Sequence, residues 1–299
     1  MKIQTITKGF LRPLLCARKK NTRKGDYGRL LIVAGSKGMT GAAAIAAKAA
    51  LRAGAGLVTL ACPDSEQPGL AAGLSEVITF PASSRDGAFS LKAAAEMLDW
   101  QKEKKYDLFL IGPGLSLRGQ VPDFAIKFIQ KSEMPAVIDA DALNALASAG
   151  ALGLLKKGRQ KIITPHEGEA ARLLGGAVEK RPGAALKLAE LSGSVVVLKG
   201  RKTLVALGAR LMENHTGGPA LAKGGSGDAL AGLIAGFFAQ AGIKKGFTPE
   251  TAFESAALGV YLHGLCGDLA AREFTERCVL ASELTDFLPA AIRAVKSAK

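Results

Sequence analysis

Cysteine is scarce in this chain of 299 residues. Cys16, Cys62, Cys266 and Cys278 lie far apart and form no C-x-x-C pair. That spacing argues against a disulfide framework or a structural zinc site, and it fits a reducing, cytoplasmic compartment. The three histidines, His166, His215 and His263, also lack metal-ligand spacing. Aromatics are 5% of the chain, with Trp100 the single tryptophan. The core must therefore be built from Ala, Leu, Ile and Val, which suits helices packed on a sheet. No apolar run approaches ~20 uncharged residues, so no membrane span is expected. Leu14-Leu15-Cys16 superficially resembles a lipoprotein cleavage site, but no adequate apolar segment precedes it. Acidic residues are the minority, 26 against 40 Lys+Arg, giving a net charge of +14. Such a balance attracts polyanions, whether nucleic acid, nucleotide or dinucleotide. The basic clusters at Arg18–Lys24, Lys102–Lys105 and Lys156–Lys161 have no interleaved aromatics. No helix-turn-helix or zinc-finger spacing appears, so nucleic acid is not the expected partner.

What is present reads as globular, with 48% hydrophobic residues and 36 Gly. Residues 1–24 are basic and poorly patterned, an arm or a first short helix. Beyond them, residues 25–299 read as a single domain without a long linker or an internal repeat. Strands are expected at Leu30–Ala34, Leu57–Cys62, Val77–Phe80, Leu108–Ile111, Ala136–Ile138, Lys161–Thr164 and Val195–Lys199. Helices are expected at Gly41–Ala53, Leu91–Trp100, Asp228–Ala241, Pro249–Cys266 and Ser282–Lys296. Apolar strands alternating with helices imply βαβ crossovers and a mostly parallel sheet covered on both faces, an α/β fold. In such sheets the ligand site lies beyond the carboxyl ends of the strands.

Glycines and polar residues cluster at those ends. Gly224-Gly225-Ser226-Gly227-Asp228 opens a small-residue helix. Converging backbone N–H groups and the helix N-terminus can hold an anion there, and Asp228 can take a proton from a hydroxyl attacking phosphorus. The alternative is an ordinary helix start with Asp as a cap. No Walker A loop is present. Gly35–Gly41 has the spacing G-x-x-G-x-x-G, either a phosphate cradle or a tight turn, and Gly112-Pro113-Gly114 permits close ligand approach or simply turns. In Asp139-Ala140-Asp141 two acids can hold Mg²⁺ through water, or Asp141 caps a helix. Thr164–Glu169 offers His166 for substrate and Glu167 or Glu169 near metal. Lys199-Gly200-Arg201-Lys202-Thr203 can grip phosphates or form a solvated hairpin turn.

Taken in order, Lys24–Gly28, Gly35–Gly41, Arg52–Val58, Gly112–Leu115, Asp139–Asn144, Thr164–Glu169 and Gly224–Asp228 closely resemble the ADP/ATP-dependent NAD(P)H-hydrate dehydratases, which belong to the ribokinase-like superfamily. The resemblance covers nearly the whole chain from about Lys24 onward. It implies a three-layer α/β/α sandwich with a central, mostly parallel sheet. It also implies a reaction in which ADP (or ATP) phosphorylates the ring hydroxyl of hydrated NADH or NADPH, and phosphate then leaves. Many such proteins carry an additional epimerase domain, so the expectation here is the stand-alone bacterial type, which generally uses ADP. By position Asp228 matches the catalytic base. Ala42, Gly114, His166 and Asp228 match substrate-lining positions. Lys199, Gly200, Arg201, Lys202, Thr203, Gly225, Ser226 and Gly227 match nucleotide-binding ones, and Asn144 and Glu167 match positions near metal. Magnesium and a homo-oligomer, a tetramer among its forms, follow from the same resemblance, and the cysteine usage already points to cytoplasmic residence. Two segments depart from the family pattern, His215–Lys223 and Arg201-Lys202, both near the expected nucleotide. The rival expectation is a kinase of the same fold acting on a small alcohol such as hydroxymethylpyrimidine or hydroxyethylthiazole.

Overall fold

A computed structural model describes residues 3–15 and 17–297. Cys16 lies outside the described residues. Cys62, Cys266 and Cys278 are free thiols, and burial pushes the first two up to about 12. The chain begins with a short strand, β1 (Gln4–Thr5), and a helical turn, α1 (Lys8–Leu11). Then follow β2 (Arg29–Val33), α2 (Thr40–Ala53), β3 (Leu57–Pro63), α3 (Gln67–Gly73), β4 (Ile78–Ala82) and a small β5–β6 hairpin (Ser84–Arg85, Ala88–Phe89). The middle of the chain holds α4 (Leu91–Lys104), β7 (Leu108–Ile111), α5 (Val121–Lys131), β8 (Ala136–Ile138), α6 (Ala140–Ser148), β9 (Lys161–Ile163), α7 (Glu167–Leu174) and α8 (Arg181–Ser192). It closes with β10 (Val195–Leu198), β11 (Leu204–Leu207), β12 (Arg210–Glu213), α9 (Ser226–Lys245), α10 (Pro249–Cys278) and α11 (Leu288–Lys296).

Ten strands form one sheet in the order β1-β12-β11-β10-β9-β8-β7-β2-β3-β4. Only β11 runs against its neighbours, because a tight turn joins it to β10 and another to β12. Alternating side chains feed two cores. Leu30, Ile32, Val58, Leu60, Val195 and Val197 face α2, α9 and α10. Leu31, Val33, Phe109, Ile111, Val196 and Leu198 face α4, α5, α6 and α8. Helices on both faces of a mostly parallel sheet make the three-layer α/β/α sandwich expected from the sequence.

The first face is closed by unusually small residues. A Cβ added to Gly232 of α9 would stand 2.2 Å from the Ala46 carbonyl oxygen of α2, and one on Gly236 would stand 2.6 Å from that of Ala50. The two helices therefore meet backbone to backbone. By length and composition α9 is apolar enough to cross a membrane, yet it lies largely buried in the sandwich.

Two helix boundaries differ from expectation for identifiable reasons. The stretch predicted as one helix from Ser282 opens as a 3-10 turn at Leu284–Phe287, and α11 begins at Leu288 with Pro289 in its first turn. Proline is preorganised for a helix start and unsuited to an interior. The helix predicted to stop at Cys266 runs on to Cys278 with a kink at Thr275, whose φ is +67°. The basic N-terminal segment is tied to the domain, with β1 pairing alongside Met212 and Glu213 at the sheet edge.

Candidate active site

Five strand ends converge through a relay of backbone hydrogen bonds. Gly35 N–H donates to Pro113 O (2.9 Å), Asp139 N–H to Ile111 O (3.0 Å), Thr164 N–H to Ile138 O (3.2 Å) and Lys199 N–H to Pro165 O (2.8 Å). The turns after β2, β7, β8, β9 and β10 are thereby fixed side by side. Gly112, at φ +132°, lets the end of β7 touch the next turn, since a Cβ there would lie 1.7 Å from Asp139 O. Ala140 holds φ +48°, a conformation that L residues with a Cβ seldom adopt.

The centre is a buried charge cluster. Asp139 is 1% exposed; its Oδ1 accepts from the Lys199 ammonium (2.7 Å) and from Thr164 Oγ1 (2.6 Å). Glu169, 4% exposed, lies 3.7 Å from Lys199 Nζ and accepts from His166 N–H at 2.8 Å. Burial alone would depress Lys199, but Asp139 and Glu169, with Asp228, more than offset it and hold the ammonium above its ordinary range. Glu169 is pushed up, mainly by burial, against the pull of Lys199.

Asp228 stands in the first turn of α9, behind Gly224–Gly227. Burial, reinforced by the negative charges of Asp139, Asp141 and Glu169, pushes its carboxyl up to about 6, with Lys199 opposing. Gly225 takes φ +89°, which turns the chain into the helix. The first N–H groups of a helix have no partner inside it, so this turn presents donors and partial positive charge beside Asp228. A Cβ on Gly227 would lie 3.5 Å from Lys199 Nζ, so the glycine turn and the ammonium adjoin. The arrangement can receive an anion at the helix terminus and accept a proton next to it.

The other sequence-predicted residues fall into three groups. Ala42 and Gly114 meet: Gly114 has φ +61°, and a Cβ there would stand 3.0 Å from the Ala42 methyl, while Ser36 Oγ donates to Gly114 O (2.9 Å). His166 caps α7. Its Nδ1 accepts from Gly168 N–H (2.9 Å), which leaves the ring proton on Nε2, 3.5 Å from Glu169 Oε1 and half-exposed. In the segment after β10, Lys199 points inward to Asp139. Thr203 Oγ1 closes the turn on Gly200 O (2.9 Å), Lys202 pairs with Glu213 (3.4 Å), and Arg201 is exposed. The Ser226 hydroxyl is buried on His263 Nε2 (3.2 Å) and its N–H donates to Lys223 O (3.3 Å), so the side chain of that residue braces the turn and does not face a ligand. Burial pulls His263 down to about 4, which keeps it neutral.

The two candidate metal residues are engaged by arginines. Asn144 Oδ1 accepts from Arg172 Nε (2.9 Å), and Glu167 Oε1 lies 2.8 Å from Arg181 Nε. Asp141 accepts from Ser116 N–H (2.8 Å) instead of capping its own helix. No group of three or more His, Cys, Asp or Glu among the described residues is arranged to hold a metal ion. Asn144 and Glu167, the expected metal residues, are thus held by arginines and form no side-chain cage for a metal ion.

Arg181 escaped the sequence reading. Its guanidinium donates to the carbonyls of Leu198 and Lys199 (3.3 Å each) and to that of Arg201, clamping the turn after β10. Gly200 lies beneath it at φ +143°, a conformation that residues with a Cβ rarely adopt. Nothing local in Lys180-Arg181-Pro182 announces this contact. His263 was also missed as a support for the glycine turn, because α10 carries it among many polar residues and its partner Ser226 lies on another helix.

A ten-stranded α/β/α sandwich with an anion-receiving glycine turn and a carboxyl poised beside it defines a ribokinase-like protein. The architecture is similar to that of a ribokinase-like superfamily protein from Enterococcus faecalis (TM-score 0.82, 26% identity, covering 99% of this chain and 97% of that one). The family model for NAD(P)H-hydrate dehydratase matches residues 30–290, and the chain belongs to that family. The bifunctional NAD(P)H-hydrate repair enzyme of Moorella thermoacetica is 42% identical over 294 residues, covering 96% of this chain and 53% of that enzyme. The chain thus spans about half the length of the bifunctional relatives it matches. The ADP-dependent (S)-NAD(P)H-hydrate dehydratase of Bacillus subtilis is 34% identical, covering 97% of this chain and 98% of that one. The structure of an ADP/ATP-dependent NAD(P)H-hydrate dehydratase from Bacillus subtilis, co-crystallised with ATP/Mg²⁺, superposes with a TM-score of 0.80 at 32% identity and covers 99% of both chains.

Proposed function

We propose that this chain is an ADP-dependent (S)-NAD(P)H-hydrate dehydratase, a carbon–oxygen lyase that returns hydrated NADH or NADPH to the reduced coenzyme. The observation that carries the reading is Asp228: a carboxyl poised near 6 at the mouth of an anion-receiving helix terminus, in a chain of this family. Relatives named for this activity support it, the Bacillus subtilis one over 98% of its length and the Neisseria meningitidis one over 80%.

The ring hydroxyl of the hydrate gives its proton to the Asp228 carboxylate as its oxygen bonds to the terminal phosphorus of ADP. The bond between that phosphorus and the bridging oxygen breaks, and AMP leaves. N–H groups of the Gly225–Gly227 turn and the Lys199 ammonium offset charge on the transferring phosphoryl group. Hydroxide is a poor leaving group and phosphate a good one. The carbon–oxygen bond then breaks with its electron pair going to phosphate, a neighbouring ring carbon gives its proton to the departing phosphate, and the electron pair of that carbon–hydrogen bond restores the double bond. Ala42, Gly114 and His166 line the hydrate side, and the segment Lys199–Thr203 with Gly225–Gly227 lines the nucleotide side. Magnesium, present with ATP in the Bacillus subtilis crystals, fits here as a companion of nucleotide phosphates and not as an ion held by side chains. The reaction belongs in the cytoplasm, and the active species is a homo-oligomer.

Absorbance at 340 nm tests the reading. Hydrated NADH or NADPH, Mg²⁺ and the protein should recover absorbance only when ADP or ATP is added, with ADP the faster donor. No recovery with either nucleotide, from protein that ADP still stabilises thermally, would transfer the assignment to a small-alcohol kinase.

A further inference from the structure

Two sequence motifs contribute nothing to the charge cluster. Lys24–Gly28 and Arg52–Val58 lie at the opposite end of the sandwich, where α2 and α9 terminate. They meet there, with Gly56 N–H donating to the carbonyls of Tyr27 (3.2 Å) and Gly28 (3.0 Å). Asp26, Tyr27, Arg52, Ala53 and Gly54 from these motifs line a cavity of about 760 Å³. That volume is in the range of small-molecule sites. Lys244, on its rim, is 16 residues beyond Asp228 along α9, roughly 24 Å at ~1.5 Å per residue, so the cavity is separate from the active site.

Its lining has two characters. Leu14, Leu51, Phe237, Leu258 and Ile292 supply an apolar floor. Arg18, Lys19, Arg52, Lys244, Lys245 and Lys296 supply cations, against only Asp26 and Glu254 as acids. Three cations are engaged: Arg18 with Gly54 O (2.6 Å), Arg52 with Asp286 (2.9 Å) and Lys245 with Glu254 (2.9 Å). Lys19, Lys244 and Lys296 have no ion-pair partner among the described residues. Lysines at the end of α9 complement its dipole, but that does not account for Lys19 and Lys296, which come from two other segments. The helix-end carbonyls do not compete for these cations, because Arg18 takes that of Gly54 and Gln240 Nε2 takes that of Ala53 (2.8 Å).

We propose that this cavity is a second ligand site, and that it takes an amphiphilic anion: a carboxylate or phosphate head at Lys19, Lys244 and Lys296 on an aliphatic body laid along the leucine and phenylalanine floor. An apolar floor favours the body by burial, and unpaired cations from three segments favour a head of negative charge.

The probe is n-decyl phosphate below its micelle concentration, titrated into the whole chain by calorimetry. Saturable binding of one equivalent is expected, undisturbed by ADP. The double variant Lys244→Glu/Lys296→Glu should weaken it at least tenfold while lowering the thermal unfolding midpoint by no more than a few degrees, from the loss of two helix-end cations, and leaving nucleotide-dependent turnover unchanged. Leu51→Trp, which fills the floor, should weaken it without altering the charge. Decanol and decyltrimethylammonium should show no saturable binding. Any one of the following overturns the proposal: no saturable binding, equal affinity in the double variant, equal binding of the cationic amphiphile, displacement by ADP, or binding confined to vesicles containing anionic lipid.

Discussion

The α2–α9 pair has a charge cluster at one end and a basic cavity at the other, and the two ends treat charge in opposite ways. At the catalytic end, Asp139 and Glu169 are buried, Lys199 is mostly so, and the ammonium lies within 4 Å of both carboxylates. At the far end, Lys19, Lys244 and Lys296 are exposed and unpaired among the described residues. Buried charge has to be compensated internally, because unpaired ions are costly away from water. The compensation is incomplete around Asp228, whose carboxyl is raised first by burial and then by the neighbouring negative charges that Lys199 does not fully offset. Exposed cations carry no such obligation, since water and salt screen them. A net charge of +14 therefore says little about function until each charge is placed.

Replacing one cation at each end should expose the contrast most sharply. Lys199→Met leaves two buried carboxylates without their partner, and an expected loss of about 3–5 kcal/mol should appear in urea unfolding. Lys244→Met should stay within about 0.5 kcal/mol of the parent. Equal losses at the two ends would break the comparison.

Asp228→Asn is expected next in size. The amide cannot take the hydroxyl proton, so turnover should fall by a factor on the order of 10² or more, with nucleotide binding retained. Near-normal turnover in the 340 nm assay would remove Asp228 from the chemistry.

The pH dependence should be smaller and carries a definite sign. Asp228 titrates at about 6 in the folded chain, above the ordinary carboxylate range. Between those values the folded state keeps a proton that the unfolded state has released. This group therefore makes the fold less stable as pH rises through that window. Activity moves the other way, because the base works ionised: turnover should climb with pH through about 6 and then level. Asp228→Asn should flatten the stability change from pH 4 to 6. An unchanged slope would assign it to Glu169, whose carboxyl is also raised.

Much of the catalytic end was legible because its strands are short Leu/Ile/Val runs that end in glycine or aspartate. Leu108–Ile111 and Ala136–Ile138 fall where expected for that reason. The helices α5 and α8 were not read, and α6 and α7 were only implied by Asp141 and by Glu167 and Glu169 as helix-start residues, because all four are short segments between stronger signals. The glycine turn and Asp228 stood out locally. The inward course of Lys199 did not, because Asp139 is 60 residues away in sequence. Arg181 and His263 were hidden by the same separation, reaching partners 17 and 37 residues distant. The far cavity was illegible altogether: its motifs were noted as family marks, and only the fold shows that they line a space.

The smallest expected effect tests whether the far end is structural after all. Arg52 and Asp286 pair at 2.9 Å with both side chains more than half exposed. If the basic rim held α2, α9 and α11 together, Arg52→Ala would destabilise the fold well beyond an ordinary surface pair. An exposed pair gains little, since water already solvates both ions and ordering two long side chains costs entropy. A change of about 0.2–1 kcal/mol in thermal unfolding is expected, shrinking further at high salt. Because the rim cations act additively on a bound anion, the same variant should still weaken decyl phosphate binding. A loss of several kcal/mol that persists in salt would instead make the rim a brace between helices and leave the cavity without a purpose of its own.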